Sequence, residues 1–388
     1  MYINFWYPVC QSSALTDKPL KLRMLGLDFV IFRDAAGQAF CLSNTCVHRG
    51  GSLSGGQVKG DRIQCPYHGW EFSGDGRCQK IPSLGRDAKI PARARVDAYP
   101  VEERYGLVFA FLGDLPETER PPILEIAEYG AEGPNDGWTA TIQEFEWGFD
   151  YKRSMENGID PAHNEFVHPT HGFSGAQEDY HVKPPKLIHT EWGTGFWGKR
   201  LAPPLAEKKM KAASGRTENA VIHGGTGHIG VNMIWTYIHP TPEISIHQYL
   251  FECPIDDSNT RLFLVNLRNF LIDKKDDERM MTRNEVVATQ DRDILLDVHP
   301  VVTPESRTHE LLVADDSPVV AYRDKLKQWE ARGWRIDVEA AERDRKKVAY
   351  AIPSPARRDS KGWILDAVPM IQATATQQKT ENIEQATG

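Results

Sequence analysis

The 388-residue sequence has no long apolar run and no stretch that reads as a secretion signal. A membrane-spanning helix needs about 18 or more apolar residues in succession, and a stretch such as LVFAFL at 107–112 has only the length of a buried strand. The first ten residues, MYINFWYPVC, lack a basic region and a small-residue cleavage site. We therefore expect a cytoplasmic protein with no membrane partner.

An excess of positive charge is also lacking. The formal net charge is −8, whereas nucleic-acid binders usually carry a concentrated basic face. The basic cluster KKMKAASGR at 208–216 has no interleaved aromatic residues, so we interpret it as a solvated loop. No nucleic-acid partner is expected.

Cysteine is scarce, with six residues in the chain. They do not form the dense, regular set of a disulfide-rich secreted domain. Two of them, Cys46 and Cys65, stand within three residues of a histidine, which favours a metal site. The other four are expected to be buried small hydrophobic residues: Cys10, Cys41, Cys78 and Cys253.

The chain length predicts two domains, with three as the alternative. Residues 1–115 read as all-β, with turn signals at RDAAGQ (33–38) and SGDG (73–76). A proline-rich linker follows, and residues 116–373 form the predicted second domain. The polar stretch 374–388 has no periodicity and is predicted to be disordered.

The second region mixes strands with helices, which gives an α+β protein. Three alternating runs predict neighbouring antiparallel strands, and the segment 276–300 predicts a long helix that stops at Pro300. The stretch 199–227 interrupts the strands and reads either as a lid or as a variable loop. The three strand runs are 228–240, 244–255 and 260–272.

The first candidate metal site consists of two Cys/His pairs, C-x-H at 46–48 and C-x-x-H at 65–68. Thiolate and imidazole ligands suit zinc or an iron–sulfur cluster. Zinc sites of the Cys2His2 type normally place like ligands in each half, whereas each half here contributes one of each. Mixed halves suit a Rieske [2Fe–2S] centre, in which two cysteines hold one iron and two histidines the other. The predicted ligands are Cys46, His48, Cys65 and His68.

These loops carry a family resemblance. CVHRGG (46–51) and CPYHGWEF (65–72) resemble the Rieske motif of bacterial ring-hydroxylating oxygenases. The resemblance implies an N-terminal all-β Rieske domain followed by a helix-grip catalytic domain, in which an antiparallel sheet wraps a long helix. It also implies a mononuclear Fe(II) site in that second domain.

The second candidate site lies in ENGIDPAHNEFVHP, residues 156–169. Non-haem Fe(II) sites often use two histidines and one carboxylate. His163 and His168 would point about 140° apart on a continuous helix. Because His168 precedes a proline, which disfavours helix, we predict that the helix ends between them. Asp160 is expected on the same helix face as His163, as a ligand or a partner of one.

The family resemblance assigns further roles, since this segment resembles the family's D-x-x-H-x(4)-H iron motif. It makes His163 and His168 iron ligands and Asp160 a bridge from His163 to His68 of a neighbouring subunit. Asn157 matches an asparagine near the iron. TQDRDILLDVHP (289–300) resembles the segment that supplies the third ligand, which implies Asp291 over its competitors Asp293 and Asp297. Leu296 departs from the glutamate that relatives often have there.

The implied function is that of the terminal oxygenase (alpha) subunit. It would use O2 and electrons from an NAD(P)H-dependent reductase, with or without a ferredoxin, and assemble as a homotrimer. We expect ring dihydroxylation of an apolar, aromatic small molecule. The alternatives are monooxygenation or oxidative demethylation and, more remotely, a Rieske electron carrier without chemistry of its own. The sequence has no G-x-G-x-x-G after a predicted strand, so the reductase is expected to be a separate protein.

Overall fold

The computed structural model describes residues 1–202 and 220–373. The chain divides into two compact units. The first contains Met1–Pro121, Pro254–Asp256 and the chain from Lys327 onward, and the second contains Pro122–Cys253 and Asp257–Leu326. The predicted domain limits at residues 115 and 373 remain a prediction. The predicted disordered stretch, 374–388, lies outside the described residues.

The first unit is built from small antiparallel sheets, in the orders β1-β11-β10, β2-β3-β4-β9 and β5-β6-β7-β8. Residues 22–33 belong to two consecutive strands, because Leu25 and Gly26 both take positive φ and form a tight turn between them. The turns predicted at 33–38 and 73–76 are confirmed. The strands are β1 Phe5–Gln11, β2 Leu20–Met24, β3 Leu27–Arg33, β4 Ala39–Ser43, β5 Gln57–Lys59, β6 Arg62–Gln64, β7 Glu71–Ser73, β8 Cys78–Lys80, β9 Ala98–Tyr99, β10 Val101–Arg104 and β11 Leu107–Leu112.

A late segment of the chain belongs to the same unit. Arg357 donates two hydrogen bonds of 2.7 Å to the fully buried carboxylate of Asp97. The hydroxyl of Ser354 donates to the same carboxylate at 2.8 Å. Removing the arginine would leave a buried charge unpaired, which is strongly destabilising. This paired carboxylate therefore fastens the segment around 354–357 to the first unit.

The second unit contains a seven-stranded antiparallel sheet in the order β14-β20-β19-β18-β17-β16-β15. The three predicted strand runs are confirmed as parts of this sheet. The prediction that 199–227 interrupts the strands is wrong at both ends, because β16 includes 199–202 and β17 includes 220–227; residues 203–219 lie outside the described part. The strands after β11 are β12 Tyr129–Gly130, β13 Gly133–Pro134, β14 Thr139–Trp147, β15 Ile188–His189, β16 Gly193–Ala202, β17 Ala220–Ile229, β18 Met233–His239, β19 Ile246–Pro254, β20 Thr260–Arg268, β21 Tyr350–Ala351 and β22 Asp366–Ala367.

The helices carry the residues of greatest interest. The long helix ends at Leu296, earlier than the predicted stop at Pro300. Buried Met280, Asn284 and Leu295 mark its inward face, on which Asp291 is half-buried. No helix within 1–202 and 220–373 is long and apolar enough to cross a membrane. The α-helices are α1 Tyr151–Ile159, α2 Asn164–Val167, α3 Asp277–Leu296, α4 Ser317–Ala331 and α5 Val338–Asp344.

One face of the large sheet contacts α1 and α3. Thr226 of β17 donates to the carbonyl of Gly158 in α1 at 2.9 Å, and Gln143 of β14 donates to the carbonyl of Met281 in α3 at 3.0 Å. Side chains alternate between faces along a strand. The cross-strand register therefore places Phe196 and Leu250 on this helix-facing side, while Trp197, Met233 and Trp235 point to the other.

Candidate functional site: two metal centres

The two Rieske-like loops have the same backbone pattern. In each, the cysteine carbonyl accepts a hydrogen bond from the glycine four residues later, Gly50 after Cys46 and Gly69 after Cys65. Both glycines have φ of +71°, which other residues rarely adopt. Each cysteine N–H also donates to the carbonyl five residues on, at 2.8 Å. Two loops of equal shape therefore present one cysteine each.

The ligand candidates of these loops separate by burial. Cys46 and Cys65 are each 2% exposed, whereas His48 and His68 are exposed. The two imidazole ring centres lie 4.4 Å apart. Gly51 allows the loops to approach, because a Cβ at this position would lie 2.9 Å from Sγ of Cys65. The two thiols thus lie near each other inside the protein, and the two imidazoles lie near each other at the surface.

Protonation in the loops agrees with a metal centre. Burial raises the pKa of the Cys46 thiol to about 12, with the backbone N–H of His48 opposing and the neighbouring Cys65 adding to the shift. A coordinating cation deprotonates such a thiol outright. The pKa of His68 is lowered, by residual burial first and then by His48 and Arg49. A neutral imidazole is the form that binds a metal.

Asp160 meets His163 by a route that the sequence did not predict. Helix α1 ends at Ile159, and Asp160 caps it in an extended conformation, so the expected shared helix face is wrong. The carboxylate instead accepts hydrogen bonds from the N–H groups of Ala162 at 2.7 Å and His163 at 3.2 Å. This turn brings Oδ2 to 3.4 Å from Nδ1 of His163.

The charge state of Asp160 follows from these contacts. Burial alone would raise the pKa of this carboxyl group, but the imidazole of His163 and the two N–H groups outweigh it and lower the pKa. Asp160 is therefore a carboxylate at neutral pH. An anionic acceptor beside Nδ1 favours the His163 tautomer whose Nε2 is free to bind a metal.

His168 stands outside the helix that precedes it, as predicted. Helix α2 ends at Val167, and His168 has φ of −114° and ψ of 70° before Pro169. Its side chain is buried, and its Nδ1 lies 3.2 Å from Oε1 of Gln290. The hydroxyl of Thr170 donates to the same oxygen at 3.0 Å. When Nδ1–H donates to Oε1, Nε2 carries no proton, and its lone pair is available to bind a metal.

That Nε2 points at Asp291. Its distance to Oδ1 of Asp291 is 3.3 Å, and Nε2 of His163 lies 3.9 Å from the same oxygen. One donor atom from each of His163, His168 and Asp291 lies within 4.8 Å of the other two. Asp291 is also the predicted choice over Asp293 and Asp297; Asp293 is instead paired with Arg292.

Asn157 contacts this triad directly. From α1, its Nδ2 donates to Oδ1 of Asp291 at 3.0 Å, which orients the carboxylate. Sequence reasoning placed Asn157 near the iron but did not assign a role to Gln290 or Thr170. The sequence contained a hint of both residues, since Gln290 directly precedes Asp291 and Thr170 follows the His168-Pro169 pair. Only the fold shows that His168 and Thr170 both contact Gln290.

Both sets of side chains fit the groups that the motifs imply. Two imidazoles and one carboxylate form the donor set of non-haem Fe(II) sites, and the second nitrogen of each histidine faces an oxygen acceptor, as ligating histidines generally do. Two buried thiols with two imidazoles form the donor set of a Rieske cluster rather than of an all-cysteine cluster.

Comparisons with known proteins agree with this division. Residues 5–100 match the Rieske [2Fe-2S] domain family, and residues 147–332 match the vanillate O-demethylase oxygenase C-terminal domain family. The predicted resemblance to Rieske oxygenases is therefore confirmed for both parts of the chain, a Rieske domain and an oxygenase C-terminal domain. The expected fold, an all-β Rieske domain followed by a catalytic domain with a large antiparallel sheet and helices, is confirmed.

Individual relatives differ in how much of the chain they match. The phenoxybenzoate dioxygenase alpha subunit of Ectopseudomonas oleovorans is 38% identical over 191 residues, covering 47% of this chain and 46% of that protein. Methylxanthine N1-demethylase NdmA of Pseudomonas putida is 25% identical over 335 residues, covering 84% and 88%. The matched part spans about half or less of the first curated relatives' length.

Solved structures show the same fold. NdmA of Pseudomonas putida with caffeine superposes with a TM-score of 0.69 at 23% identity, covering 85% of this chain and 91% of that chain. Dicamba monooxygenase bound to 3,6-dichlorosalicylic acid gives a TM-score of 0.67 at 23% identity, covering 86% and 98%. At this identity the likeness concerns the fold.

Proposed function

We propose that this protein is the terminal oxygenase component of a multicomponent Rieske oxygenase. The observation that carries the proposal is the convergence of His163, His168 and Asp291 in a chain that also contains a Rieske domain. An electron carrier without chemistry of its own has no use for this second donor set. When bound, the mononuclear iron supplies the activation of O2.

The protein's own residues then have distinct tasks. Cys46, His48, Cys65 and His68 would hold the [2Fe–2S] cluster, and His163, His168 and Asp291 would hold the Fe(II). Gln290 and Asn157 orient His168 and Asp291 through the contacts described above.

Asp160 is proposed to have a second partner besides His163. Its side chain is one-quarter exposed, and His68 is exposed on the Rieske loops. We place Asp160 against His68 of a neighbouring copy in a homotrimer, where one carboxylate would bridge two imidazoles. The electrons would come from NAD(P)H through a separate reductase, with or without a ferredoxin.

The reaction could insert either two oxygen atoms into the substrate or one. The expected ring dihydroxylation agrees with the dioxygenase relative, which matches about half of the chain. Monooxygenation with demethylation agrees with the C-terminal domain match and with NdmA, whose similarity extends over 84% of the chain. Because the domain match lies in the catalytic part and the NdmA match extends over most of the chain, we favour demethylation or another monooxygenation of a small aromatic molecule.

Two measurements test the proposal. Three irons per chain support an oxygenase, whereas two irons indicate a carrier. Turnover of an aromatic substrate panel under 18O2, with a surrogate reductase, should then give labelled product. One labelled atom means monooxygenation and two mean dioxygenation. Reduction of the cluster without any O2-dependent product from the panel would contradict the proposal.

A further inference from the structure

Trp70 stacks on one of the two Rieske histidines. It belongs to the second loop, directly after Gly69, and its carbonyl accepts the hydrogen bond from the N–H of Cys65 at 2.8 Å. Its indole, however, lies against His48 of the first loop. The ring centres are 4.6 Å apart and the planes are inclined by 7°, which is the offset-stacked arrangement that aromatic rings favour. A side chain of one loop therefore orients a ligand candidate of the other.

The indole of Trp70 is anchored by the core. Trp70 is partly buried and packs against the hydrophobic cluster that contains both loop cysteines, Cys46 and Cys65. The cluster also contains the fully buried Phe72, whose ring centre lies 6.4 Å from that of Trp70. Because a protein core is closely packed, the indole has little freedom to tilt. His48, although it is exposed, thus has one face against a ring that the core holds in place.

The other Rieske histidine is supported differently. The ring centre of His68 lies 3.8 Å from that of its chain neighbour Tyr67, and the two rings are inclined by 37°. Tyr67 is 56% exposed, and the guanidinium of Arg49 lies 5.8 Å from the centre of its ring. Both rings of this contact are at the surface and adjacent in sequence, so they can move together. Of the two imidazoles, His48 is therefore the more firmly oriented.

An indole against one face of His48 affects a bound cluster in two ways. It excludes water from that face, and solvent exposure is one of the factors that set the reduction potential of an iron–sulfur cluster. The face of an aromatic ring also carries a negative electrostatic potential. Reduction adds a negative charge, which a low-dielectric neighbour and a negative ring face both disfavour. Both effects therefore lower the reduction potential.

We propose that Trp70 is a positioning residue of the Rieske centre, which fixes the orientation of His48 and lowers the reduction potential of the cluster bound there. The alternative is that Trp70 only fills the core. Its loss would then change stability but not the potential of the clusters that remain bound. The inference goes beyond the proposed oxygenase function, since it concerns the Rieske centre alone.

The test measures the reduction potential of the cluster in the purified full chain, by a mediated redox titration followed in the visible spectrum. Trp70→Leu should raise the ratio of reduced to oxidised cluster about threefold at a fixed applied potential, which corresponds to about 30 mV for a one-electron couple. Its EPR lines should also broaden, because His48 then takes more than one orientation. Trp70→Phe retains a ring for stacking and should stay close to the wild type.

Two further variants separate stacking from packing. Phe40 is partly buried against the same core cluster, and its ring stacks on Phe32. Phe40→Leu should therefore leave the potential unchanged. Tyr67→Leu removes the exposed contact with His68 and should shift the potential less than Trp70→Leu does.

Several outcomes would overturn the proposal. These are a wild-type or lower potential in Trp70→Leu, equal shifts in Trp70→Leu and Trp70→Phe or Phe40→Leu, and a larger shift in Tyr67→Leu. If Trp70→Leu does not retain the cluster, Trp70→Met, which fills the core with a flexible apolar side chain, takes its place. Loss of the cluster in both of these Trp70 variants, with Phe40→Leu still loaded, would show a structural role for Trp70 and would likewise overturn the proposal.

The outcome is independent of the proposed oxygenation. None of these measurements requires O2, a substrate or the iron site of the second unit. The expected shift in potential without any oxygenated product would contradict the proposed function alone. Oxygenation with an unchanged potential in Trp70→Leu would contradict only the role of Trp70.

Discussion

The two candidate metal centres are built in opposite ways. The Rieske loops are local: each is a turn of five residues, Cys46–Gly50 or Cys65–Gly69, that ends on a positive-φ glycine, and the two copies have the same hydrogen bonds. The triad is assembled from distant parts of the chain, with His163 and His168 flanking a four-residue helix and Asp291 on α3. One site repeats a loop, whereas the other depends on a helix being held in place.

Their surroundings differ in the same sense. The Rieske imidazoles are exposed, which agrees with the proposed transfer of electrons from a separate protein. In the triad, His168 is buried, and its orientation depends on Gln290. Oε1 of Gln290 contacts both Nδ1 of His168 and the hydroxyl of Thr170. We therefore expect the Rieske centre to tolerate changes in the second unit, and the triad to respond to changes in residues that never touch the metal.

The largest effect should come from removing a triad ligand. His163→Ala should abolish oxygenation, by about 10³-fold or more, because the metal loses one of three donors. The visible and EPR spectra of the [2Fe–2S] cluster should be unchanged. His189→Ala, an exposed histidine on β15, is the control. Loss of the cluster spectra in His163→Ala would show that the two centres are not separate.

The reciprocal change removes a Rieske ligand. Cys65→Ser should eliminate the cluster spectra and NAD(P)H-driven turnover while one iron per chain remains, because the triad lies in the other unit. Cys41→Ser, at a buried cysteine outside the loops, should retain the cluster. Metal analysis by mass spectrometry provides the count. If the Cys65 substitution also removed the iron bound by His163, His168 and Asp291, the two centres would not be independent.

A smaller effect is expected at the proposed link between the centres. Asp160→Ala should keep all three irons but slow product formation by about 100-fold, within the range for partners of ligating histidines. Stopped-flow oxidation of the reduced cluster, with substrate and O2, is the measurement. Wild-type turnover in this variant would refute the bridge.

A smaller effect still is expected for Gln290, which contacts a triad histidine but does not bind the metal itself. Gln290→Leu removes the acceptor for Nδ1 of His168, and we expect about tenfold weaker Fe(II) binding. Titration of the iron-depleted protein with Fe(II) measures it. Gln290→Glu restores an acceptor oxygen and should recover most of the affinity. If both variants bind Fe(II) like the wild type, Gln290 does not position His168.

The smallest effect concerns loop shape. Gly50→Ala places a side chain at φ of +71° with no atom within 4 Å of its Cβ, so the cost is conformational only. We expect the free energy of unfolding to fall by about 1–2 kcal/mol, with activity per cluster retained. Gly198→Ala, at an equally open position without positive φ, should cost less. Equal losses in the two variants would argue against backbone strain in the Rieske loop.

The Rieske loops were readable from the sequence because all their ligands lie within 23 residues, Cys46 to His68. The proline after His168 likewise predicted correctly that this histidine leaves the helix. The shared helix face of Asp160 and His163 was wrong, because α1 stops at Ile159 and Pro161 follows Asp160. Side-chain and backbone contacts of the carboxylate, rather than helical periodicity, bring the pair together.

The sequence alone therefore determined the ligand types, the Rieske loops, three strand runs of the large sheet and the non-helical conformation of His168. These features depend on short-range spacing, turn residues and the alternation of polar and apolar residues, all of which involve residues close together in the sequence. Only the tertiary structure decided that Gln290 contacts His168 and that Asn157 contacts Asp291. Both contacts join residues more than one hundred positions apart, and they form because α3 packs next to α1 and α2.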